Sequence, residues 1–258
     1  MKQFLAEAKL ADEVGLDVYA VGEHHRADYM ISSPAVLLAA VAAQTERIRL
    51  TSAVTVLSSE DPVRVWQQFA ELDLISGGRA EIIAGRGSFT ESFPLFGYDL
   101  KDYEELFAEK LDLLLRLQDG GPIVWEGRHR PSLAADDVHP HPVQHPLPIW
   151  IAVGGTPSSI ERAGRLRLPL ALAIIGGRVS SFAGHVQLYR SSGGEGLPLA
   201  LQMHGFVASS STEANSRFAP GQLEVMNRIG RERGWRPIGN EQYLEMTRGD
   251  GAIVVGSP

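Results

Sequence analysis

The sequence predicts an α/β protein of the (β/α)8 barrel class. Apolar runs typical of buried strands alternate with segments of helical periodicity, and seven such runs fit into 258 residues, close to the roughly 250 residues of a typical barrel. Polar or glycine-rich residues follow several of these runs directly. In parallel α/β folds, the carboxyl ends of strands are where ligands bind. The seven candidate strands begin at Asp17, Ile48, Arg79, Pro148, Pro169, Leu197 and Ala252.

A closed barrel needs eight strands, so the count is one short. The first helical pattern, residues 2–14, has no strand-like run before it, and the last strand, residues 252–256, has no helical pattern after it. We therefore expect a barrel that lacks the usual first strand and last helix. We see no domain boundary and expect a single domain over residues 1–258.

The first half of the chain alternates in a regular way. Residues 2–14 form an amphipathic helix that Gly15 terminates, and residues 17–21 form the first strand. Ser33 and Pro34 are placed as N-cap and first residue of a helix that runs to about Glu46. The further predictions are a β-branched strand at 48–58, a helix at 61–75, a strand at 79–87 and a helix at 103–118.

The second half is less regular. Six prolines in residues 120–148 disfavour a regular helix there, so we predict an excursion in which the sequence PIVWEG forms one arm of a hairpin. The pattern then resumes, although residues 236–248 stay ambiguous. The predicted elements are strands at 148–153, 169–175, 197–208 and 252–256, and helices at 158–168, 182–189 and 224–233.

Composition narrows the classes of partner. The net charge of −7 and the absence of a long basic run argue against nucleic acid and anionic membranes, which leaves small molecules as the expected partners. The chain has no cysteine, so disulfides and thiolate metal sites are excluded. No signal peptide and no apolar run of membrane-spanning length is visible, and we expect a soluble cytoplasmic protein.

Glu23, His24 and His25 follow the first strand and are the sharpest feature of the sequence. Alternation along a strand puts His24 on the face of Gly22, so one histidine should point into a pocket and its neighbour away from it. A histidine in that position can act as a general base or hydrogen-bond a cofactor. The alternative is that these residues cap the strand through backbone hydrogen bonds.

Glycine-rich turns follow three of the candidate strands. Such turns offer backbone N–H groups and close approach, and a helix N-terminus or a guanidinium adds favourable charge for a phosphate. The first two turns together predict a phosphorylated ligand. The third turn is either another phosphate-binding turn or only a tight turn. The turns are Gly85, Arg86, Gly87 and Ser88; Gly154, Gly155, Thr156 and Ser158; and Gly176 and Gly177.

Other histidines receive a different interpretation. The spacing of His139 and His141 resembles that of a metal-binding pair. However, both lie in the proline-rich excursion, and no carboxylate cluster of the usual ligand spacing is near them. We therefore predict no metal site. His204 either lines the barrel or is hydrogen-bonded in the core, and we favour the lining role.

Three stretches together resemble the bacterial luciferase-like family of flavin-dependent oxidoreductases. They are EHHR at 23–26, SAVTVLSSEDPVRVWQQFAELDLISGGRAEIIAGRG at 52–87 and PIWIAVGGTPSS at 148–159. The resemblance implies a (β/α)8 barrel that binds reduced FMN at its carboxyl-terminal mouth, usually as a homodimer. It assigns His24 to the catalytic position beside the flavin, Ala53 and Val54 to a non-prolyl cis peptide under the flavin ring, and Arg86 to the flavin phosphate.

The remaining cofactor-binding residues expected on this basis lie at strand ends and in the glycine-rich turns. They are His25, Gly85, Gly87, Gly154, Gly155, Thr156, Ser158, Gly176 and Gly177. The luciferase α subunit has a reactive cysteine where this chain has Gly85, so light emission is not implied.

The expected function is that of an FMN-dependent monooxygenase, which acts on paired donors with incorporation of molecular oxygen. It would receive reduced flavin from a separate reductase and oxidise a small organic substrate, whose identity the sequence does not reveal. Three alternatives remain. One is hydride transfer with an 8-hydroxy-5-deazaflavin coenzyme, the second is a flavin-binding protein without turnover, and the third is a metal-dependent hydrolase.

Overall fold

The computed structural model describes residues 1–258 as two compact units, Met1–Ala152 and Val153–Pro258. None of the helices is both long and apolar enough to cross a membrane. The first unit contains most of the elements predicted from the regular half of the sequence. Its helices are α1 (Lys2–Glu13), α2 (Pro34–Ala42), α3 (Pro62–Ser76), α4 (Ser92–Leu95) and α5 (Tyr103–Arg116), and its strands are β1 (Val18–Val21), β2 (Arg49–Ser52), β3 (Thr55–Val56), β4 (Ala80–Gly85), β5 (Ile123–Trp125), β6 (Leu133–Ala135) and β7 (Ile149–Val153).

The main sheet of the first unit is parallel, as the alternation of strands and helices predicts. Its order is β1-β2-β4-β7, and β3 pairs with the end of β4. Helices α3 and α5 contribute large apolar side chains to a core that excludes water. Trp66, Phe69, Phe107, Leu111 and Leu50 are each at most 2% exposed.

Local signals in the sequence fix α3. The carboxylate of Asp61 accepts hydrogen bonds from the N–H groups of Val63 and Arg64 at 2.9 and 3.3 Å, and Pro62 occupies the first turn, where its missing N–H costs nothing. At the other end, Gly77 adopts a left-handed conformation with φ of 67°. Both ends were predicted correctly to within one residue.

Helix α2 ends at Ala42, four residues before the predicted end at Glu46. The cause is the carboxylate of Asp12, which accepts hydrogen bonds from the backbone N–H groups of Glu46, Arg47 and Ile48 at 2.7–3.0 Å. These N–H groups would serve the helix if it continued. Ser33 occupies the N-cap position as predicted, but its side chain makes no capping bond.

The strand predicted at 48–58 is divided into β2 and β3. The division lies at the peptide between Ala53 and Val54, which is cis. The N–H of Ala53 still donates to the carbonyl of Val21 at 2.7 Å, so the segment remains joined to β1. The cis peptide implied by the resemblance is therefore present at the expected position.

The proline-rich excursion contains the predicted hairpin. Strands β5 and β6 pair antiparallel, with Val124 opposite Ala134. The loop between them is held by the carboxylate of Glu109 in α5, which accepts hydrogen bonds from the N–H groups of Arg128, His129 and Arg130 at 2.8–3.1 Å.

The second unit is a smaller α/β assembly. Its strands run in parallel in the order β8-β9-β10. Strand β10 is its last element. The elements are α6 (Pro157–Arg165), β8 (Leu170–Ile174), α7 (Ala183–Tyr189), β9 (Leu199–Val207), α8 (Ser211–Arg233), α9 (Asn240–Met246) and β10 (Ile253–Gly256).

Two helices of this unit differ from the sequence prediction. Helix α8 begins at Ser211, well before the predicted start at Glu224, and contains Pro220 in its interior. Proline lacks the N–H for a helical hydrogen bond, so the helix passes Pro220 without that bond. Ser210 begins the helix by accepting a hydrogen bond from the N–H of Glu213 at 3.2 Å. The ambiguous segment 236–248 contains α9.

We expect Asp73→Ala to lower the free energy of unfolding by about 2–4 kcal/mol, because buried donors lose their only charged acceptor. The Asp73 carboxylate is fully buried and accepts hydrogen bonds from the N–H of Ala80 and from the N–H and side-chain amide of Gln144 at 2.7–3.1 Å. Urea unfolding measures the change. The control is Asp112→Ala, which removes an exposed ion pair with Arg116 and should cost less than about 1 kcal/mol. Equal losses for both variants would contradict the structural role of Asp73.

Candidate functional site

The candidate site in the first unit is built around the carboxyl end of β1. Glu23 is buried and its two carboxylate oxygens have different partners. Oε1 lies 2.9 Å from Nε2 of His25, and Oε2 accepts a hydrogen bond from the N–H of Val56 at 2.9 Å. Glu23 thereby joins the end of β1 to the start of the segment that follows the cis peptide.

His24 has a different environment from His25. Its ring stands 4.0 Å from that of Tyr29 and 5.5 Å from that of Phe89, measured between centroids. Nε2 of His24 lies 3.0 Å from where a Cβ on Gly22 would be, so the ring folds back over that glycine. The two histidines therefore face different neighbours, as strand alternation predicts. His24 belongs to an aromatic cluster, whereas His25 is turned towards the buried Glu23.

The electrostatics of this region are dominated by burial. Burial raises the pKa of the Glu23 carboxyl above its ordinary value, opposed by the hydrogen bonds from His25 and Val56. Burial also raises the pKa of Glu60, and the neighbouring Glu23 raises it further. Burial lowers the pKa of His24, which favours the neutral imidazole.

A buried lysine completes this group of charges. Lys110 of α5 is 1% exposed, its Nζ donates to the carbonyl of Ser58 at 2.8 Å, and it lies 3.8 Å from the ring centre of Tyr98. Burial lowers its pKa to about 8, although the charges of Asp61 and Glu60 oppose that shift. Sequence reasoning had assigned this residue to the packing helix and overlooked it.

The turn after β4 packs against the segment around the cis peptide. A Cβ on Gly85 would lie 2.8 Å from Cγ2 of Val54, so only glycine leaves room for that side chain. Gly87 has φ of 79° and its missing Cβ would lie 3.0 Å from Val56. His24, Ala53, Val54 and Gly85 are thus brought into one region, because a Cβ on Gly22 would also lie 3.3 Å from the carbonyl oxygen of Ala53.

Arg86 follows Gly85 and turns towards the beginning of α5. Its guanidinium forms an ion pair with the carboxylate of Glu104 and lies 4.9 Å from the ring centre of Tyr103. Glu104 is half exposed, with 51% of its side chain accessible. Arg86, which is predicted to bind a phosphate, therefore has a carboxylate partner in this structure.

In the second unit, the turn from Gly154 to Ser158 leads directly into α6. Gly155 has φ of 114°, which favours glycine, and Thr156 is the N-cap of the helix. Gly154, Thr156 and Ser158 are exposed. In the first turn of α6, the buried hydroxyl of Ser159 has no hydrogen-bond partner. The turn has the open backbone and helix N-terminus that suit an anion.

The third glycine turn is tied to the segment before β10. The carbonyl of Gly177 accepts a hydrogen bond from the N–H of Ala252 at 3.1 Å, and Gly177 has φ of 81°. Gly176 has open space where a Cβ would be. His204 on β9 bonds through Nδ1 to the side-chain amide of Gln222 on α8 at 2.7 Å, so the alternative of a hydrogen-bonded packing residue describes it better than the lining role.

Sequence reasoning identified Glu23, His24 and the cis peptide, but missed Tyr29 and Phe89. Both lie in irregular segments where a lone aromatic residue gives no periodic signal. They are found only when the folded chain brings them against His24. Tyr29 and Phe89 also contact each other, with centroids 5.8 Å apart.

The sequence and fold were compared with known proteins. The family model for the luciferase-like monooxygenase matches residues 1–255. The F420-dependent glucose-6-phosphate dehydrogenase of Amycolatopsis mediterranei is 30% identical over 166 residues, which are 60% of this chain and 48% of that protein. The chain spans less than half the length of the first curated relatives that it matches.

Solved structures match over the whole chain. The monooxygenase RslO1 from Streptomyces bottropensis has a TM-score of 0.84 and 25% identity, with 78% of that chain covered. The oxygenating constituent of 3,6-diketocamphane monooxygenase from Pseudomonas putida, a Baeyer-Villiger enzyme in complex with FMN, has a TM-score of 0.80 and 18% identity, with 79% covered. These similarities confirm the predicted fold class, an α/β protein of the (β/α)8 type.

We expect the imidazole of His24 to titrate below its ordinary pKa of 6.5, because burial disfavours the charged form. Proton NMR of the histidine ring signals, assigned with the variant His24→Gln, measures the midpoint. Between the folded and unfolded pKa values the unfolded chain binds more protons, so the free energy of unfolding should rise with pH through that window. A midpoint at or above 6.5 contradicts this assignment.

Proposed function

Because this chain belongs to the luciferase-like monooxygenase family, we propose that it is an FMN-dependent monooxygenase that uses reduced flavin and oxygen to oxidise a small organic substrate. The observation that carries the proposal is the grouping of His24, Tyr29 and Phe89 beside the cis peptide of Ala53 and Val54. We also propose that a separate reductase supplies the reduced flavin, that the protein acts in the cytoplasm and that the working form is a homodimer.

The residues at the end of β1 fit a planar, largely apolar ring system. His24, Tyr29 and Phe89 offer aromatic faces, and the missing side chains of Gly22 and Gly85 let the His24 ring and the Val54 side chain pack close to the backbone. Aromatic and small residues with a few polar groups are typical of cofactor sites. The FMN in the related Pseudomonas putida structure supports this choice of cofactor.

When bound, reduced flavin would provide the group that reacts with molecular oxygen. The protein would contribute binding, orientation and exclusion of water. His24 would exchange a proton at its imidazole Nε2, and burial keeps the ring neutral near pH 7 because it lowers the pKa of His24. Tyr29 and Phe89 would shield that exchange from solvent.

Glu23 and His25 would act as positioning residues. Glu23 holds the N–H of Val56 and the ring of His25 at once, so the strand end that carries His24 cannot move without breaking a buried, charged hydrogen bond. This role does not require either residue to touch the substrate.

For the phosphate, the two candidates are Arg86 in the first unit and the turn from Gly154 to Ser158 in the second. Arg86 offers a guanidinium suited to bidentate binding of an anion. The turn offers exposed backbone at the start of α6, where the helix dipole favours negative charge.

A second candidate function is hydride transfer with a deazaflavin coenzyme. The similarity to an F420-dependent glucose-6-phosphate dehydrogenase favours it. The aromatic cluster around His24 would accept either ring system, so binding must be measured with both.

We expect the purified protein to bind FMN in a 1:1 ratio, measured by quenching of flavin fluorescence. Gly85→Ala should weaken binding by at least about tenfold, because the new Cβ would lie 2.8 Å from Val54 and displace it. Gly184→Ala is the matched control, since a Cβ there meets nothing within 4 Å. Stoichiometric binding of the deazaflavin with none of FMN would establish the second candidate instead.

We expect His24→Ala to lower oxygen-dependent turnover by at least about a hundredfold, which is the usual contribution of a general acid or base. Turnover is followed as oxygen consumption with reduced FMN and a panel of small aldehydes, ketones and alkenes. The exposed His145→Ala should behave like the unmodified protein. Unchanged turnover in His24→Ala would remove the catalytic assignment. Absence of turnover with every compound in the unmodified protein would favour a flavin-binding protein without catalysis.

A further inference from the structure

The proline-rich segment after β6 brings three side chains of metal-binding type together. Asp137, His139 and His141 each place a ligand atom within 4.8 Å of the others. Oδ2 of Asp137 lies 2.7 Å from Nε2 of His141 and 3.5 Å from Nε2 of His139. The sequence shows no carboxylate cluster of the usual ligand spacing beside the two histidines, whereas the folded chain places the single carboxylate of Asp137 against both.

Asp137 is oriented by the backbone on its other side. Oδ1 accepts hydrogen bonds from the N–H of Gly121 at 3.1 Å and from the N–H of Val138 at 2.7 Å. Because Oδ1 is occupied, Oδ2 remains directed at the two histidines. In metal sites, hydrogen bonds from neighbouring groups hold the ligating carboxylates in position in the same way.

The histidines are also restrained. Each precedes a proline, which restricts the backbone conformation of the histidine. The ring of His141 packs against Gly120, where a Cβ would lie 3.3 Å from Cε1. The rings of His139 and His141 are perpendicular, with centroids 5.0 Å apart.

We propose that Asp137, His139 and His141 bind a divalent transition-metal ion of the Zn²⁺ type. Tetrahedral Zn²⁺ with bonds of about 2.0–2.1 Å separates its ligand atoms by about 3.3 Å. The distance of 3.5 Å between Asp137 and His139 already matches this spacing. The distance of 2.7 Å between Asp137 and His141 is that of a hydrogen bond, which the ion would replace by a slightly longer separation.

The surroundings allow an ion to enter and to complete its coordination. The side chain of His139 is 70% exposed, so the site opens to solvent. Asp137 also lines a cavity of about 210 Å³ together with Gly120, Gly121 and Val138, which leaves room for water as a fourth ligand. Imidazole and carboxylate ligands suit Zn²⁺, Ni²⁺ and Co²⁺ better than Mg²⁺ or Ca²⁺.

The consequence is a cross-link that does not depend on flavin. Through Asp137 and Gly121, the ion would fasten the segment after β6 to the turn before β5. A ligand that binds only the folded form stabilises it, so the melting temperature should rise with metal concentration.

The test uses the full chain without a polyhistidine tag. Isothermal titration with Zn²⁺ and absorption spectroscopy with Co²⁺ measure the stoichiometry and the coordination. We expect one ion per chain, a visible Co²⁺ band typical of tetrahedral coordination, and a higher melting temperature with Zn²⁺.

His139→Ala and Asp137→Asn should each weaken Zn²⁺ binding by at least about tenfold and abolish the rise in melting temperature. His139 is exposed and asparagine keeps an acceptor for Gly121, so both variants should fold, which circular dichroism checks.

The matched control is His129→Ala, because His129, Asp102 and Glu105 form another group whose ligand atoms lie within 4.8 Å. Binding that is lost in His129→Ala but retained in His139→Ala overturns the proposal, as does binding that neither variant weakens. Failure of the unmodified protein to bind one equivalent of Zn²⁺ overturns it as well.

Discussion

The buried carboxylate of Glu23 is the constraint on which the candidate site depends. It is buried, and it connects His25 at the end of β1 with the N–H of Val56 just beyond the cis peptide. Burying a carboxylate is unfavourable unless it is paired and hydrogen-bonded. Burial raises the pKa of Glu23 although His25 and Val56 both form hydrogen bonds with its carboxylate. The buried carboxylate therefore lowers the stability of the fold, but it fixes the geometry of the strand end. Such an arrangement is typical of functional sites, where charged groups are held by their surroundings.

Side-chain carboxylates also accept several backbone hydrogen bonds at other places where the chain leaves regular structure. Asp12 accepts hydrogen bonds from three backbone N–H groups after α2, and Glu109 accepts hydrogen bonds from three in the loop between β5 and β6. Asp73 joins the beginning of β4 to Gln144. Irregular segments cannot satisfy their own N–H groups, so a carboxylate from a neighbouring helix does so. The long excursion can therefore be ordered although it has little secondary structure.

The sequence predicted the elements whose signals are local. The ends of α3 follow from Asp61, Pro62 and Gly77, and the strands from their apolar, β-branched composition. The end of α2 could not be predicted, because it depends on Asp12, which lies far away in sequence. Helix α8 was predicted only from Glu224 onward, and its earlier part contains Pro220, which lacks the N–H of a helical hydrogen bond.

For the candidate site, strand geometry predicted that the two histidines at 24 and 25 face different ways, and the resemblance assigned the catalytic position to His24. The partners of His24 could not be read in the same way. Tyr29 and Phe89 come from separate loops, and only tertiary contacts identify them. Asp137 was overlooked for a related reason, since a carboxylate next to two histidines becomes a candidate ligand only when backbone hydrogen bonds aim it at them.

The ion pair between Arg86 and Glu104 bears on how a phosphate could be bound. A guanidinium that receives a phosphate here must exchange one oxyanion for another, and it keeps its position above Tyr103 while it does so. The exchange is inexpensive for Glu104, because a half-exposed carboxylate recovers its hydration when it is released. It is also favourable for Arg86, since a phosphate offers more charge and more acceptor oxygens than a carboxylate. If Arg86 binds a phosphate as we propose, Glu104 would keep the guanidinium oriented until the phosphate binds.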